Sequence, residues 1–149
     1  MAQYSMESVT ATIREASTLE ELAAVRERFL EDAHGRAFVF SPEPLVELQA
    51  INDVHDGIIA RALRLAEQDM AERGRGAPPA PYEFLLFGSG GRKEQTLWSD
   101  QDNGLVYDDR GADASSLKSV RQYFLEFGNR AAEALERVGY PPCEGGVQP

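Results

Sequence analysis

The chain of 149 residues contains 15 lysines and arginines against 25 aspartates and glutamates, so its formal net charge is −10. Its 42% hydrophobic content is enough for the core of one domain and excludes disorder over most of the chain. The acidic excess argues against a nonspecific nucleic-acid binder, which needs a basic surface to displace the counterions of phosphates. It leaves a nucleotide substrate open, because Mg²⁺ bridges acidic side chains to phosphates.

The compartment is predicted from three simple features of the sequence. No run approaches the roughly 18 apolar residues of a transmembrane helix, and the first ten residues lack the basic stretch and apolar core of a signal peptide. The single cysteine, Cys143, has no partner for an internal disulfide, which is typical of a reducing compartment. We therefore expect a cytoplasmic protein without a membrane partner.

Two helices are predicted in the first half of the chain. Thr18 and Glu21 have the capping-box spacing, and apolar residues follow at helical spacing until Gly35, which is predicted to lie just past the last turn. A longer helix is predicted from the Ser41-Pro42 pair to about Arg73. Serine caps helices, and proline suits their first position.

A proline-rich linker at 78–81 is the clearest domain boundary in the sequence. Gly74 and Gly76 end the preceding helix, and the prolines that follow stiffen the chain. The linker divides the chain into a helical N-terminal region, 1–77, and a core, 82–149.

The core is predicted to contain two strands and one helix. The aromatic-rich run 82–87 predicts a buried strand, which the glycine-rich turn 88–91 ends. A second strand is predicted at about 103–107. Apolar residues at helical spacing predict a helix over 115–138, and Gly139 stops it.

The turn Gly88-Ser89-Gly90-Gly91 is a candidate anion site. Residues without a Cβ atom let backbone N–H groups approach a phosphate closely. A short helix over 92–97 would also point the positive end of its dipole at the same place. Most glycine-rich turns after strands are only turns, so this pattern alone favours a structural role.

Two carboxylates follow the turn at a spacing that suits a metal. In extended backbone, residues i and i+2 point to the same side, so Asp100 and Asp102 would lie close together and repel each other. A divalent cation such as Mg²⁺ removes that repulsion. Two solvated aspartates in a polar loop are the alternative, but the position of the pair between a strand-and-turn unit and a second strand favours the metal.

Together, Gly88-Ser89 and Asp100-x-Asp102 resemble the signature of the polymerase-β-like nucleotidyltransferase superfamily. The whole string 88–107 and the Cys-x-Gly-Gly-Val element at 143–147 are similar to a bacterial branch related to the N-terminal domain of protein-PII uridylyltransferase. The resemblance implies an α+β fold, with an N-terminal helical segment followed by a partial nucleotidyltransferase-fold mixed sheet and packed helices.

The resemblance also implies roles for particular residues. Gly88, Ser89 and the neighbouring Gly90 and Gly91 would hold the terminal phosphates of a nucleoside triphosphate. Arg92 would be a further phosphate contact, and Asp100 and Asp102 would be catalytic as the ligands of Mg²⁺. The implied reaction moves a nucleoside monophosphate to a hydroxyl of a protein or small molecule, with regulatory protein uridylylation in signal transduction as the nearest precedent.

The superfamily normally adds a third carboxylate from a later strand, which in this branch lies beyond the 143–147 element. Asp108 and Asp109 follow the second strand, where a turn is their expected role. The chain therefore resembles the front part of a family domain. This leaves a second hypothesis, a non-catalytic nucleotide-binding or regulatory interaction module. A sheet without its later strands would leave an open edge, which predicts a homodimer.

The remaining candidates favour structural roles. His34 and His55 have no ligand at metal spacing, and His55 is expected to be a surface or half-buried helical residue. Cys143 has no base beside it in sequence that would generate a thiolate. Glu94 and Gln95 are typical of the resembling branch, and they either fix the loop by hydrogen bonding or contribute to chemistry, the former being favoured.

Overall fold

The computed structural model describes residues 6–35, 44–110 and 113–143. It confirms an α+β architecture in which an N-terminal helical segment precedes a small sheet. The elements in chain order are α1 (Met6–Glu15), α2 (Leu19–Gly35), α3 (Pro44–Glu72), β1 (Tyr82–Leu86), the single turn α4 (Gly88–Gly91), β2 (Asn103–Tyr107) and α5 (Ala114–Val138).

The start of α2 follows the predicted capping pattern with one difference. The backbone N–H of Glu21 donates to the Thr18 hydroxyl at 3.1 Å, while the Glu21 carboxylate accepts from the N–H of Ser17, at 2.6 Å, instead of Thr18. Gly35 is part of α2, although the sequence placed it just past the last turn. The sequence did not predict α1, and the predicted start of α3 at Ser41-Pro42 lies outside the described residues.

Helix α5 has defined caps at both ends. The Asp113 carboxylate accepts from the backbone N–H groups of Ser115 and Ser116 at 3.1 and 2.8 Å, and these bonds, with those from the two serine hydroxyls, lower the pKa of Asp113 to about 2. Gly139 ends the helix at a φ of 107°, a left-handed conformation that suits glycine. The predicted helix and its stop are both confirmed.

The sheet is an antiparallel pair, in which Tyr82 pairs with Tyr107 and Leu86 with Asn103. The predicted second strand is confirmed at the same residues. One face packs on α5, where the Tyr107 ring stacks on Phe124 with their centroids 4.4 Å apart. The other face carries exposed apolar side chains, including Leu85 and Val106.

One hydrophobic core joins the helices to this inner face of the sheet. Buried residues of α3, such as Ile58 and Ala62, belong to the same cluster as Phe127 and Ala131 of α5. The core therefore includes residues from both sides of the 78–81 linker. No helix among the described residues is long and apolar enough to cross a membrane.

Candidate functional site

The glycine turn follows β1 directly. The N–H of Gly91 donates to the carbonyl of Phe87 at 2.8 Å, which closes one helical turn within the glycines. A short helix over 92–97, which would have added its dipole to the anion site, does not form. The N–H groups of Lys93 and Glu94 instead donate to the carbonyls of Gly90 and Ser89. A single turn has a weak dipole, so any phosphate here would depend on direct hydrogen bonds.

Gly88 brings the two halves of the motif together. Its φ is +50°, a conformation that favours glycine, and a Cβ atom at this position would overlap Oδ2 of Asp102. The backbone also joins the two segments, since the N–H of Phe87 donates to the carbonyl of Asp102 at 2.8 Å. The carboxylate of Asp102 thus lies against the turn that the sequence proposed for phosphate.

The segment around the two aspartates alternates in burial, as extended backbone does. Asp100 is exposed, Gln101 is buried and Asp102 is half-buried. Gln101 forms a parallel β-bridge with Pro142, and its N–H donates to the carbonyl of Pro141 at 2.9 Å. This alternation of burial places the side chains of Asp100 and Asp102 away from the buried side of the segment.

A small cavity collects four of the predicted site residues, which are Ser89, Gly90, Asp100 and Asp102. Gly88 and Gly91 do not line the cavity. Gly88 lies against Asp102, which does line it. Gly91 packs so closely on β1 that a Cβ would lie 2.7 Å from the carbonyl oxygen of Leu86. Arg92 is not part of the lining. Its exposed side chain pairs with Glu94 at 2.7 Å.

Sequence reasoning missed the residues of α3 that hold the loop between the turn and the aspartates. The Asn52 side chain accepts from the N–H of Gln95 at 3.0 Å and donates to its carbonyl at 3.3 Å. His55 Nε2 lies 2.8 Å from the carbonyl of Thr96, and Lys93 forms an ion pair with Asp56. The only signal in the sequence is that Asn52 and His55 are polar residues, three apart, beside an apolar helical stripe.

His55 is fully buried, so the expectation of a surface or half-buried residue is wrong. Because a carbonyl oxygen only accepts, Nε2 carries the proton, and Nδ1, 2.7 Å from the Tyr140 hydroxyl, accepts from it. Burial lowers the pKa of His55 and raises the pKa of Tyr140. Both groups are therefore neutral near pH 7, and they connect α3 and the C-terminal end of α5 to the loop.

The donors at the cavity fit a magnesium ion. Asp100, Asp102 and the Ser89 hydroxyl offer only oxygen atoms, which Mg²⁺ prefers, and Mg²⁺ commonly uses one or two carboxylates together with water and phosphate. The described residues contain no group of three or more His, Cys, Asp or Glu side chains that could hold a metal. Asp108 lies at the far end of β2, about 20 Å from Asp102 along the strand, and pairs with Arg110.

The chain is α+β, and its Gly-Ser turn lies against its Asp-x-Asp segment. Residues 42–149 match the model of a family described as "Putative nucleotidyltransferase DUF294". This match covers more than half of the chain, which therefore belongs to that family. No curated protein and no solved structure matches the chain. Of the Cys-x-Gly-Gly-Val element, residues 144–147 lie outside the described residues.

Proposed function

We propose that the chain is a Mg²⁺-dependent nucleotidyltransferase site that moves a nucleoside monophosphate from a nucleoside triphosphate to a hydroxyl of a protein or small molecule. Protein-PII uridylyltransferase is the nearest precedent, so a regulatory protein is the proposed acceptor. The contact between Gly88 and Asp102 is the observation that carries this proposal.

The contact matters because it places an anion site and a cation site side by side. Phosphates at the Gly88–Gly91 turn would lie next to the carboxylates of Asp100 and Asp102, which would otherwise repel them. Bound Mg²⁺ would supply charge neutralisation and align the attacking and leaving oxygens. Ser89 lines the same cavity, and its hydroxyl would donate a hydrogen bond to a phosphate oxygen.

A non-catalytic nucleotide-binding or regulatory module is the second candidate. One observation favours it: in the part of the chain that the structure describes, no cluster of three acidic, histidine or cysteine side chains could hold a metal. Such a module would bind Mg²⁺ and nucleotide through the same residues without turnover.

Binding is tested first, with Trp98 as the reporter. It is the single tryptophan of the chain, it is 66% exposed, and it lies two residues from Asp100. We expect its fluorescence to change on titration with at least one of ATP, UTP, GTP and CTP in the presence of Mg²⁺. Calorimetry should give the same affinity. No Mg²⁺-dependent binding of any of the four would overturn both candidates.

Variants then assign the ligands. Asp100→Ala combined with Asp102→Ala should abolish the Mg²⁺ dependence of binding and leave the circular dichroism spectrum unchanged. Asp108→Ala combined with Asp109→Ala is the matched control, because it removes the same charge at the far end of β2. Equal loss of Mg²⁺ dependence in both double variants would show that the assignment to Asp100 and Asp102 is wrong.

Turnover separates the two candidates. Nucleoside triphosphates labelled at the α-phosphate are incubated with the chain, Mg²⁺ and a PII-type protein, and transfer is followed as label on the protein and as released pyrophosphate. Label on the acceptor, lost in the Asp100→Ala plus Asp102→Ala variant, supports the enzyme. Tight binding without label on any acceptor offered supports the module.

A further inference from the structure

Three amide side chains are buried in the cavity beside Asp100 and Asp102. Gln95, Gln101 and Asn103 are each at most 3% exposed, and all three line this cavity. Within the described part of the chain, their side-chain oxygens have no hydrogen-bond partner. Buried polar atoms in folded proteins nearly always have a partner, so three such acceptors at one cavity indicate a bound species.

The hydrogen bonds of Gln101 fix the orientation of its amide. Nε2 donates to the carbonyls of Ala132 and Tyr140 at 3.1 and 3.0 Å. Carbonyl oxygens only accept, so the nitrogen must face them, and Oε1 is left at the other side of the amide. Nε2 of Gln95 lies 3.0 Å from the Ser99 hydroxyl. Because a hydroxyl both donates and accepts, this contact does not fix the orientation of the Gln95 amide as the two carbonyls fix that of Gln101. Gln101 therefore gives the firmest evidence that an amide oxygen lacks a partner.

The size of the cavity limits what the occupant is. Its volume is about 10 Å³, which is room for about one water molecule. One water donates two hydrogen bonds and would leave a third acceptor unsatisfied, whereas a metal cation interacts favourably with all three oxygens. Neutral amide oxygens can replace the hydration shell of a monovalent ion, as backbone carbonyls do in ion channels. The adjacent carboxylates and the net charge of −10 also attract a cation.

We propose that this cavity binds one alkali-metal cation through the side-chain oxygens of Gln95, Gln101 and Asn103. The ion joins the loop after the glycine turn to the start of β2, and so fixes the segment that carries Asp100 and Asp102. Its ligands are the three amide oxygens and not the carboxylates proposed for Mg²⁺, because the buried Gln101 alternates with Asp100 and Asp102 along the segment and its side chain lies on the opposite side from theirs. The site requires neither nucleotide nor a divalent ion.

Thermal unfolding of the full chain tests the proposal without nucleotide and with EDTA present. Tm is measured in LiCl, NaCl and KCl, and in choline chloride at the same ionic strength. We expect one alkali salt to raise Tm with a saturable concentration dependence, and choline to have no such effect. Equal Tm values in all four salts would overturn the proposal.

Variants locate the ion. Gln101→Met and Asn103→Leu each remove one amide oxygen and should abolish the alkali-specific rise in Tm, while Gln122→Met, at an exposed position of α5, should retain it. If Gln101→Met does not fold, Asn103→Leu gives the same test at the other end of the segment. A rise that survives both substitutions but disappears in Asp100→Asn plus Asp102→Asn would assign the ion to the carboxylates and contradict the proposal.

Crystals grown with Rb⁺ or Tl⁺ provide a direct readout. We expect one anomalous peak bounded by the three amide oxygens. An ordered water at this position without an anomalous signal would show that the cavity is only hydrated, and would overturn the proposal. Because Mg²⁺ and nucleotide are absent from both measurements, these results are independent of the proposed transferase activity.

Discussion

Gly88 is both in a left-handed conformation and in contact with the carboxylate of Asp102. Gly88→Ala should lose about 1–2 kcal/mol of unfolding free energy from the backbone conformation alone. The added methyl group should also displace Asp102 and weaken Mg²⁺-nucleotide binding by about tenfold or more, equivalent to about 1.4 kcal/mol. Urea denaturation and the Trp98 titration measure the two effects.

Gly74 provides the matched control for this substitution. Its φ of +79° is also left-handed, but apart from its own stretch of chain no described atom lies within 4 Å of the place where a Cβ would be. Gly74→Ala should therefore lose a similar amount of unfolding free energy through the backbone conformation and keep the affinity for Mg²⁺-nucleotide. Equal affinities in the two variants would mean that the contact between Gly88 and Asp102 does not shape the site.

His55 makes stability depend on pH in a predictable direction. Burial lowers its pKa in the folded state, while the unfolded chain has the ordinary value of about 6.5. Between that pH and the lower folded-state pKa, the unfolded state binds more protons than the folded state. The stability that neutral His55 contributes is therefore fully present above pH ~6.5 and is lost as the pH falls towards the folded-state pKa. The slope from this one group is at most about 1.4 kcal/mol per pH unit.

Urea denaturation between pH 7.5 and 5.5 tests this expectation. His55→Gln should flatten the decrease in unfolding free energy, whereas His34→Gln, at an exposed position of α2, should leave it unchanged. Parallel pH profiles of the wild type and His55→Gln would contradict a neutral, buried His55.

At the scale of elements, α3 acts as the support of the site loop. Asn52→Ala leaves the N–H and the carbonyl of Gln95 without their side-chain partner. It should cost about 1–3 kcal/mol of unfolding free energy and weaken Mg²⁺-nucleotide binding, since the loop leads directly to Asp100. Asn129→Ala, on the exposed side of α5, should change stability by no more than about 0.5 kcal/mol. Unchanged affinity in Asn52→Ala would restrict α3 to a purely structural role.

The elements themselves were largely predictable because their signals are local. Cap residues, turn glycines and apolar spacing lie within a few residues of one another, which explains why β2 and α5 match their predicted ranges. Helix α1 was missed because it is short and buries only Val9 and Ile13. The conditional helix over 92–97 does not form, since the N–H groups of Lys93 and Glu94 donate to carbonyls of the glycine turn.

The site was predictable only where its residues are close in sequence. Asp100 and Asp102 are two residues apart, and the cavity includes both together with Ser89. The contact of Asn52 with Gln95 spans 43 residues and depends on how α3 packs on the sheet and α5. A local pattern carries no information about that packing, and for the same reason the burial of His55 was not foreseen.

At the scale of the whole molecule, the outer face of the sheet is where self-association is expected. Leu85 and Val106 are exposed there, and among the described residues the sheet has two strands, whose outer main-chain edges can pair with another chain. Sedimentation velocity over a hundredfold range of concentration should show a dimer, which Val106→Lys should weaken. Leu125→Lys, which replaces an exposed apolar residue of α5, should leave the dimer unchanged. A single monomer at every concentration would rule out the dimer.

The hydrophobic core indicates whether residues 1–77 and 82–149 can fold separately. The boundary at 78–81 stays a prediction, but the buried residues of α5 pack in one cluster with those of α1, α2 and α3. A fragment of residues 78–149 would expose that face of α5, including Phe127 and Ala131. We expect the fragment to bind the dye ANS and to unfold without a cooperative transition. Co-expression with residues 1–77 should restore the transition, because it supplies the missing half of the core. Cooperative unfolding of the fragment alone would instead establish 82–149 as an independent folding unit, and the contacts of Asn52 and His55 would then join two domains.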